Sequence, residues 1–579
     1  MSSAVSGYKR SFGSDGPPGC YEDFEHTDCL IAWGSNLPEQ HPIIYWRMKE
    51  AQEKRGFPLI VVDPRVTMLA QNAHMHLAIT PGTDVVLMNA MMHVILAEGL
   101  EDKRYIEANT NGIEALRAEV ANYDPVSASR ICGIDEDTIR VVARTFAKAP
   151  AAMQIWTMGI NQSTHGSDGV VGINNLALIT GNVGKPGGTS LSITGQCNAM
   201  GTREWSSCSG LPNHRYLENA QHREEIAKFW NMDPAFFPKQ RGMLQTDIYQ
   251  AMEAGQIKGL WLIATNPLSS LPNTARIRKA MEQLEFCCVQ DCYQDTESAQ
   301  YAHVYLPAGT WAEKDGVMTN TERRVNLVKA LTPPPGEAKP DLWIFNRVAE
   351  RFNQDTKVKF PEKAADIFLE MGELSRGRLA DISGMDHDLI EKNRGIQWPY
   401  TAAQRERGEA PPQGGKRLYT VDGKFCYPDG RAKLIPLPFI DNNEVPDAKF
   451  PIWLNTGRLI EHWHGRTKTG KIGNNNKFSP IPFIEISPDL ADELGIQRGE
   501  YVRMVSRRGD AVAMAQPTQR VPKNMVFLPF HFFDCANRLT LGLLDPHSRQ
   551  PAYKQSAIRI EKIADQIAAA KLSMEMRKF

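Results

Sequence analysis

Five short apolar runs, each ending in a polar turn and followed by a helix-like stretch, constrain what this chain can fold into more than any other feature. Residues 29–33 (CLIAW) lead into GSN, 59–62 (LIVV) into DPR, 154–157 (QIWT) into MGINQ, 260–264 (LWLIA) into TNP and 286–290 (FCCVQ) into DCYQD. Near-continuous apolar runs alternating with helical segments are the pattern of strands buried on both faces of a parallel sheet, so the class expected is α/β. In such sheets the loops at the carboxyl ends of the strands form the ligand crevice, because backbone N–H groups and helix N-termini converge there. All five turns are therefore candidates for one site.

At about 150 residues per domain, the 579 residues allow three or four compact units and exclude a single small binding module. The 66 Lys+Arg against 67 Asp+Glu leave a formal charge of −1. That argues against a nucleic-acid or anionic-membrane partner, since both want a basic excess. The most apolar stretch, 84–100 (DVVLMNAMMHVILAEGL), is interrupted by Asp84, Asn89 and His93. It falls short of the roughly 20 apolar residues of a membrane span and predicts a buried helix. No apolar signal-peptide core opens the chain. The 10 cysteines include no C-x-x-C pair and no disulfide framework, which favours a reducing compartment. Their one cluster, CCVQDC at 287–292, reads as buried thiols, because Cys287 and Cys288 would point to opposite faces of a strand.

Proline and glycine density rises at 333–338 (PPPGEA) and at 405–416 (RERGEAPPQGGK), which predicts surface connections, the second near a domain boundary. Beyond Ala448 short strands separated by turns (FPIWLNTG, PFIEISP, EYVRMVSRRGDAVAMA, NMVFLPFHF) predict a small β-barrel. The domain limits that follow are 1–190 and 191–440, both α/β and cofactor-binding, and 441–579, the barrel.

No glycine-rich turn matches G-x-G-x-x-G or G-x-x-x-x-G-K-[ST], so neither a nicotinamide nor an ATP site has motif support. Instead many turns each offer one or two polar groups: Gly34, Ser35 and Asn36; Asp63 and Arg65; the PGTD of 81–84; Asn161 and Gln162; Thr265 and Asn266. Singly each is an ordinary turn former. Together they suggest a long, multiply charged ligand gripped by many loops, with cations for diphosphates and carboxylates for purine amino groups. Asp84 and Asp291 are the residue type that pairs with guanine, although each could equally cap a helix. Residues 178–205 are rich in glycine and bring Lys185, Gln196, Asn198, Met200 and Arg203. Glycine permits close backbone approach to a ligand. Residues 309–328 crowd Glu313, Lys314, Asn320, Glu322 and Arg323, which could also form a solvated face. Residues 455–471 carry His462, Trp463 and His464 among Arg458, Arg466, Lys468 and Lys471. No third ligand stands at zinc spacing, so no metal is expected on these histidines.

These segments, with MSSAVSGYKRSFGSDGPPGCYEDFEHTD, TGNVGKPGG, GQCNAMGTRE and DPHSRQPAYKQSAIRI, resemble the catalytic subunit of molybdenum bis-(molybdopterin guanine dinucleotide) oxidoreductases of the dimethyl-sulfoxide-reductase superfamily. Within it the resemblance is to nitrate reductases, particularly the assimilatory branch. It implies Rossmann-like parallel-sheet domains and a C-terminal barrel of the double-psi type. It also implies two pterin dinucleotides held by Gly34, Ser35, Asn36, Asp63, Arg65, Asp84, Gln162, Gln196, Thr265, Asn266 and Asp291. From the barrel it adds Thr456, Arg458, His462, His464, Asn537 and Lys554. Arg203 is expected to steer nitrate by bidentate pairing, with Met1 close to the metal.

Family members open with a region holding a 4Fe-4S cluster and then a molybdenum-ligating Cys, and Met1–Ala4 matches the residues just beyond that Cys. The expectation is that the chain is a fragment of a longer reading frame, inactive as it stands. Nitrate would be reduced to nitrite in the cytoplasm, with electrons from ferredoxin, flavodoxin or a reductase subunit. Two rivals stand beside this reading: a formate dehydrogenase alpha subunit and a non-catalytic scaffold. Formate enzymes usually carry a His and an Arg at the positions of Met1 and Thr194, which favours nitrate.

Overall fold

The computed structural model describes residues 2–207, 210–352, 360–420, 424–441 and 444–575. Its first sheet is parallel throughout, in the order Met75–Leu77, Leu59–Val62, Cys29–Trp33, Ala152–Trp156, Thr189–Ser192. Alternate side chains enter two separate cores, as the two-residue period of a strand demands. Cys29, Ile31, Trp33, Ile60 and Val62 face one core, while Leu30, Ala32, Leu59, Val61, Met153 and Ile155 face the other. This two-sided burial is the physical reason the strands are near-continuously apolar. The apolar stretch at 84–100 forms the helix Asp84–Ala97, buried as expected, and Asn89 within it donates to the Leu437 carbonyl.

The N-terminal helix Ser2–Phe12 lies directly on the helix Gly166–Ile179. A Cβ at Gly7 would fall 2.2 Å from Val170 Cγ1 and 2.5 Å from Val170 Cβ. Neither atom can swing aside, because branching at Cβ leaves valine one favoured rotamer in a helix. Gly7→Ala is therefore expected to destabilise by about 1–3 kcal/mol through overpacking, against the gain in helix propensity. A thermal melt checks it, and an unchanged or higher Tm would contradict the close contact.

A second, three-stranded parallel sheet runs Val304–Pro307, Phe286–Asp291, Gly259–Ile263, with its own core of Met252, Leu262, Leu268, Met281, Cys287 and Val289. Cys287 and Cys288 are buried, but Cys292 is exposed, which corrects the reading of the whole cluster as buried thiols. Among the described residues no group of three His, Cys, Asp or Glu could hold a metal ion. The closing segment is a closed six-stranded barrel in the order Ile452–Gly457, Met525–Pro529, Phe483–Ile486, Asp510–Pro517, Tyr501–Val505, Ser556–Lys562, with parallel and antiparallel pairs mixed.

The first sheet and its core do not stop at the limit drawn at 190. The first limit cuts the strand Thr189–Ser192, which belongs wholly to the first sheet. Val325, Phe368, Ile396, Tyr400, Tyr419 and Leu434 share the core of that sheet, and Ala432–Lys433 pairs with Thr110–Asn111. The 405–416 segment is exposed or half-buried, yet it joins two parts of one core and so marks no boundary. No helix of the described residues is long and apolar enough to cross a membrane.

Candidate functional site

A cavity of about 380 Å³ opens between the carboxyl ends of the first sheet and the barrel. Gly34 follows the Cys29 strand, Asp63 the Leu59 strand, Gly159 the Ala152 strand, and Ile193 to Gln196 the Thr189 strand, so four strand ends converge on it. The first and third turns touch backbone to backbone. Gly159 donates to the Gly34 carbonyl at 3.1 Å, and a Cβ on Gly34 (φ +50°) would lie 2.5 Å from Gly159 Cα. The barrel supplies Thr456 from the end of its Ile452 strand, Arg458, His462 and His464 from the segment leaving that strand, and Lys554 from before its last strand.

Of the residues expected here from sequence, Gly34, Asn36, Asp63, Arg65, Asp84, Gln162, Gln196, Thr456, Arg458, His462, His464 and Lys554 line this one cavity. Ser35 is buried behind it. Thr265, Asn266, Asp291 and Asn537 are not on its wall. Asn266 accepts from Ser298 and donates to Glu297, and Asn537 donates to the Ser269 carbonyl. The five polar turns thus form two groups, because the last two end strands of the separate second sheet. Met1 lies outside the described residues.

Burial sets the electrostatics. It pushes the Asp84 carboxyl up to about 6 and raises Asp63, although Arg65 N–H donates to Asp63 at 2.9 Å. It depresses Arg458, and it pushes Lys554 down to about 8, with Arg458 adding repulsion and Asp63 opposing it. Lys554 donates to the Thr456 carbonyl at 2.5 Å. Among the described residues, the polar and ring contacts of Arg458 are His464 Nε2, at 3.4 Å, and the Phe530 ring. Among the described residues neither cation forms an ion pair. Arg65 differs: it grips Glu485 bidentately at 2.5 and 2.7 Å and stacks 4.0 Å over Phe527, and Arg520 shares the same carboxylate at 3.2 Å. His462 donates to the Ser479 carbonyl at 2.8 Å, and burial pushes His464 down to about 4.

The structure sets Arg203 apart from this cavity. It is not on the cavity wall; its side chain is 3% exposed and pairs through Nε (2.7 Å) and Nη2 with Asp15, itself 1% exposed. The next residue, Glu204, accepts from Trp398 Nε1 at 2.6 Å and Thr319 Oγ1 at 3.2 Å. Burial pushes its carboxyl up to about 7. Both side chains anchor the helix Ala199–Trp205 behind the 195–198 loop.

Sequence reasoning missed Glu39, Asn475, Phe527 and Gln555 on the wall, and Glu485 behind Arg65. Only Gln555, directly after Lys554 in a segment already singled out, carried a usable signal. The residues present fit a phosphate-bearing nucleotide ligand. Among the described residues two half-buried cations form no ion pair, an acceptor carboxyl stands at Asp84, and Ser35 Oγ, His41 Nδ1 and Thr194 Oγ1, interleaved with wall residues, have no hydrogen-bond partner.

Residues 7–351 match the family model "Molybdopterin oxidoreductase", and residues 452–557 match "Molydopterin dinucleotide binding domain", which covers most of the barrel. The chain is 39% identical over 575 residues to a nitrate reductase of Synechocystis sp., covering 97% of this chain and 79% of that protein. It is 37% identical over 565 residues to the F420-dependent formate dehydrogenase subunit alpha of Methanocaldococcus jannaschii, covering 97% and 80%. Against the periplasmic nitrate reductase of Desulfovibrio desulfuricans the identity is 35%, covering 97% and 77%. Acetylene hydratase from Pelobacter acetylenicus shares the fold, with a TM-score of 0.73 at 20% identity, covering 97% of this chain and 81% of that one.

Proposed function

The chain belongs to the molybdopterin oxidoreductase family, and on that premise we propose that it is the catalytic chain of a nitrate reductase, reducing nitrate to nitrite. The observation that carries the ligand half of this reading is the pair of cations, Arg458 and Lys554, held half-buried on the cavity wall with no ion-pair partner among the described residues. In this reading they neutralise the diphosphate of one molybdopterin guanine dinucleotide, and Asp84 accepts the guanine amino and imino protons. Gly34, Asn36, Gln162 and Gln196 complete the grip from the strand ends. Thr265, Asn266, Asp291 and Asn537, with Lys468 beside Asp291, take the second dinucleotide. When bound, the molybdenum group supplies the two-electron oxygen-atom transfer; the protein orients it.

Nitrate is preferred over formate because Thr194, a short side chain bonded through its backbone to Thr321 and His41, stands where formate enzymes usually carry an arginine. The same reading supplies electrons from ferredoxin, flavodoxin or a reductase subunit and places the enzyme in the cytoplasm. Metal analysis and acid release of GMP from the purified protein test the cofactor. Nitrite formation from nitrate with a reduced dye, set against dye reduction by formate, tests the substrate. Absence of both molybdenum and GMP would refute the reading, and turnover of formate without nitrate would replace it with the formate alternative.

A pH dependence follows from Asp84. Only its carboxylate accepts both guanine protons, and burial delays that ionisation to about pH 6. GDP binding to nucleotide-free protein is expected to tighten between about pH 5 and pH 7. Asp84→Asn should bind weakly and lose that rise. An Asp84→Asn profile that matches the unmodified protein would remove Asp84 from the guanine site.

A further inference from the structure

The cavity wall from Arg458 to His464 has no regular structure of its own: no helix or strand forms between Gly457 and Thr469. Its backbone is also strained, since His464 sits at φ +42°, a left-handed conformation that a side chain disfavours. One fully buried ring spans it. His531, just beyond the strand Met525–Pro529, lies 2.8 Å from the Leu459 amide through Nε2 and 2.6 Å from the His464 carbonyl through Nδ1. A backbone N–H can only donate, so Nε2 holds the lone pair, and the ring proton sits on Nδ1 and goes to His464. Only the neutral imidazole can make both bonds. Burial, with His462, Arg458 and His464 around it, pushes the ring down to about 3 and keeps it neutral.

We propose that His531 is a positioning residue that ties the two ends of the 459–464 loop together, so that Arg458 and His464 stand in place on the cavity wall before any nucleotide arrives. The proposal rests on the functional reading for what the cavity holds, but not for the tie itself. Without the ring, the Leu459 N–H and the His464 carbonyl would both lose their partner, and the left-handed His464 would be left to the turn in which the Arg466 N–H donates to the Trp463 carbonyl at 2.9 Å.

Two substitutions separate shape from bonding. His531→Phe keeps a planar ring and removes both hydrogen bonds; His531→Gln removes the ring and keeps one acceptor and one donor on a single amide. Two readouts are made on the full chain: amide hydrogen exchange across 459–464, referenced to the barrel strands Ile452–Gly457 and Met525–Pro529, and GMP released per purified chain. His531→Phe is expected to exchange the loop about ten-fold faster with the strands unchanged, and to retain a minor fraction of the GMP. His531→Gln is expected to recover most of both. Loop exchange and GMP content at the unmodified level in His531→Phe would overturn the proposal. If the strands themselves lose protection in His531→Phe, the glutamine variant decides, and a result as poor as phenylalanine's overturns it. Unmodified protein without GMP would refute the functional reading, while loop exchange would still judge the tie.

Discussion

Asp15→Ala is expected to cost the fold about 3–5 kcal/mol, because it leaves the Arg203 guanidinium buried with its carboxylate gone. Both side chains are within 3% of full burial, so solvent screening does not soften the loss. Burial alone would raise the Asp15 carboxyl, and Arg203 more than offsets it, holding the group below the usual carboxylate value. A depressed acid contributes stability above its unfolded pKa and loses it as pH falls through its folded one, so the pair is intact at neutral pH. Replacing both partners, Asp15→Leu with Arg203→Met, is expected to be much milder than either single change, since no charge is then stranded. Urea denaturation of the four proteins measures the cycle. Single and double variants of equal stability would show that the pair is not the buried unit described here. The cycle also bears on nitrate steering. Loss of turnover in Arg203→Ala alone would mix a stranded Asp15 with any loss of anion contact, so the double variant is the proper control.

Removing the cavity cations should have opposite effects on ligand and fold. Arg458→Met and Lys554→Met are each expected to weaken nucleotide retention about ten- to a hundred-fold, the worth of a charge-assisted bond to phosphate of roughly 1.5–3 kcal/mol. Together they should leave the purified chain without GMP. Yet the nucleotide-free fold should not suffer, because Lys554 is desolvated and repelled by Arg458. A lysine whose folded pKa is lowered binds fewer protons in the native state, so stability rises with pH through the interval from about 8 to its ordinary value of 10.5. That rise should be present in the nucleotide-free protein and absent from Lys554→Met. Variants that keep GMP, or that lose it only by unfolding, would show that the two cations serve the fold rather than a diphosphate.

Much of the fold was legible along the chain. Strands at 29–33, 59–62 and 286–290 were found because a strand covered on both faces must be apolar at every position, which is a local requirement. The barrel was legible from short strands and turns. The reach of the first core was not: the core that Val325, Tyr400 and Leu434 share with Ile31 and Trp33 joins residues far apart, across the limit drawn at 190, and no composition change marks it. The site divided in the same way. Turn residues such as Asp63 and Gln162 were visible because turn chemistry and strand ends go together. That Thr265 and Asp291 belong to a different group depends on which strands share hydrogen bonds, and a run of apolar residues does not specify its neighbours.

By itself the sequence determined which residues stand at strand ends and which carry charge, since those properties follow from the side chains and their period. Only the tertiary structure decided which charges remain available to a ligand. Arg203 is spent on Asp15, 188 residues away, and Arg65 on Glu485, 420 residues away, whereas Arg458 and Lys554 meet no acid among the described residues. The reason is physical: a cation's worth to a ligand depends on its nearest counter-charge and its exposure to water, and both are set by packing between distant segments.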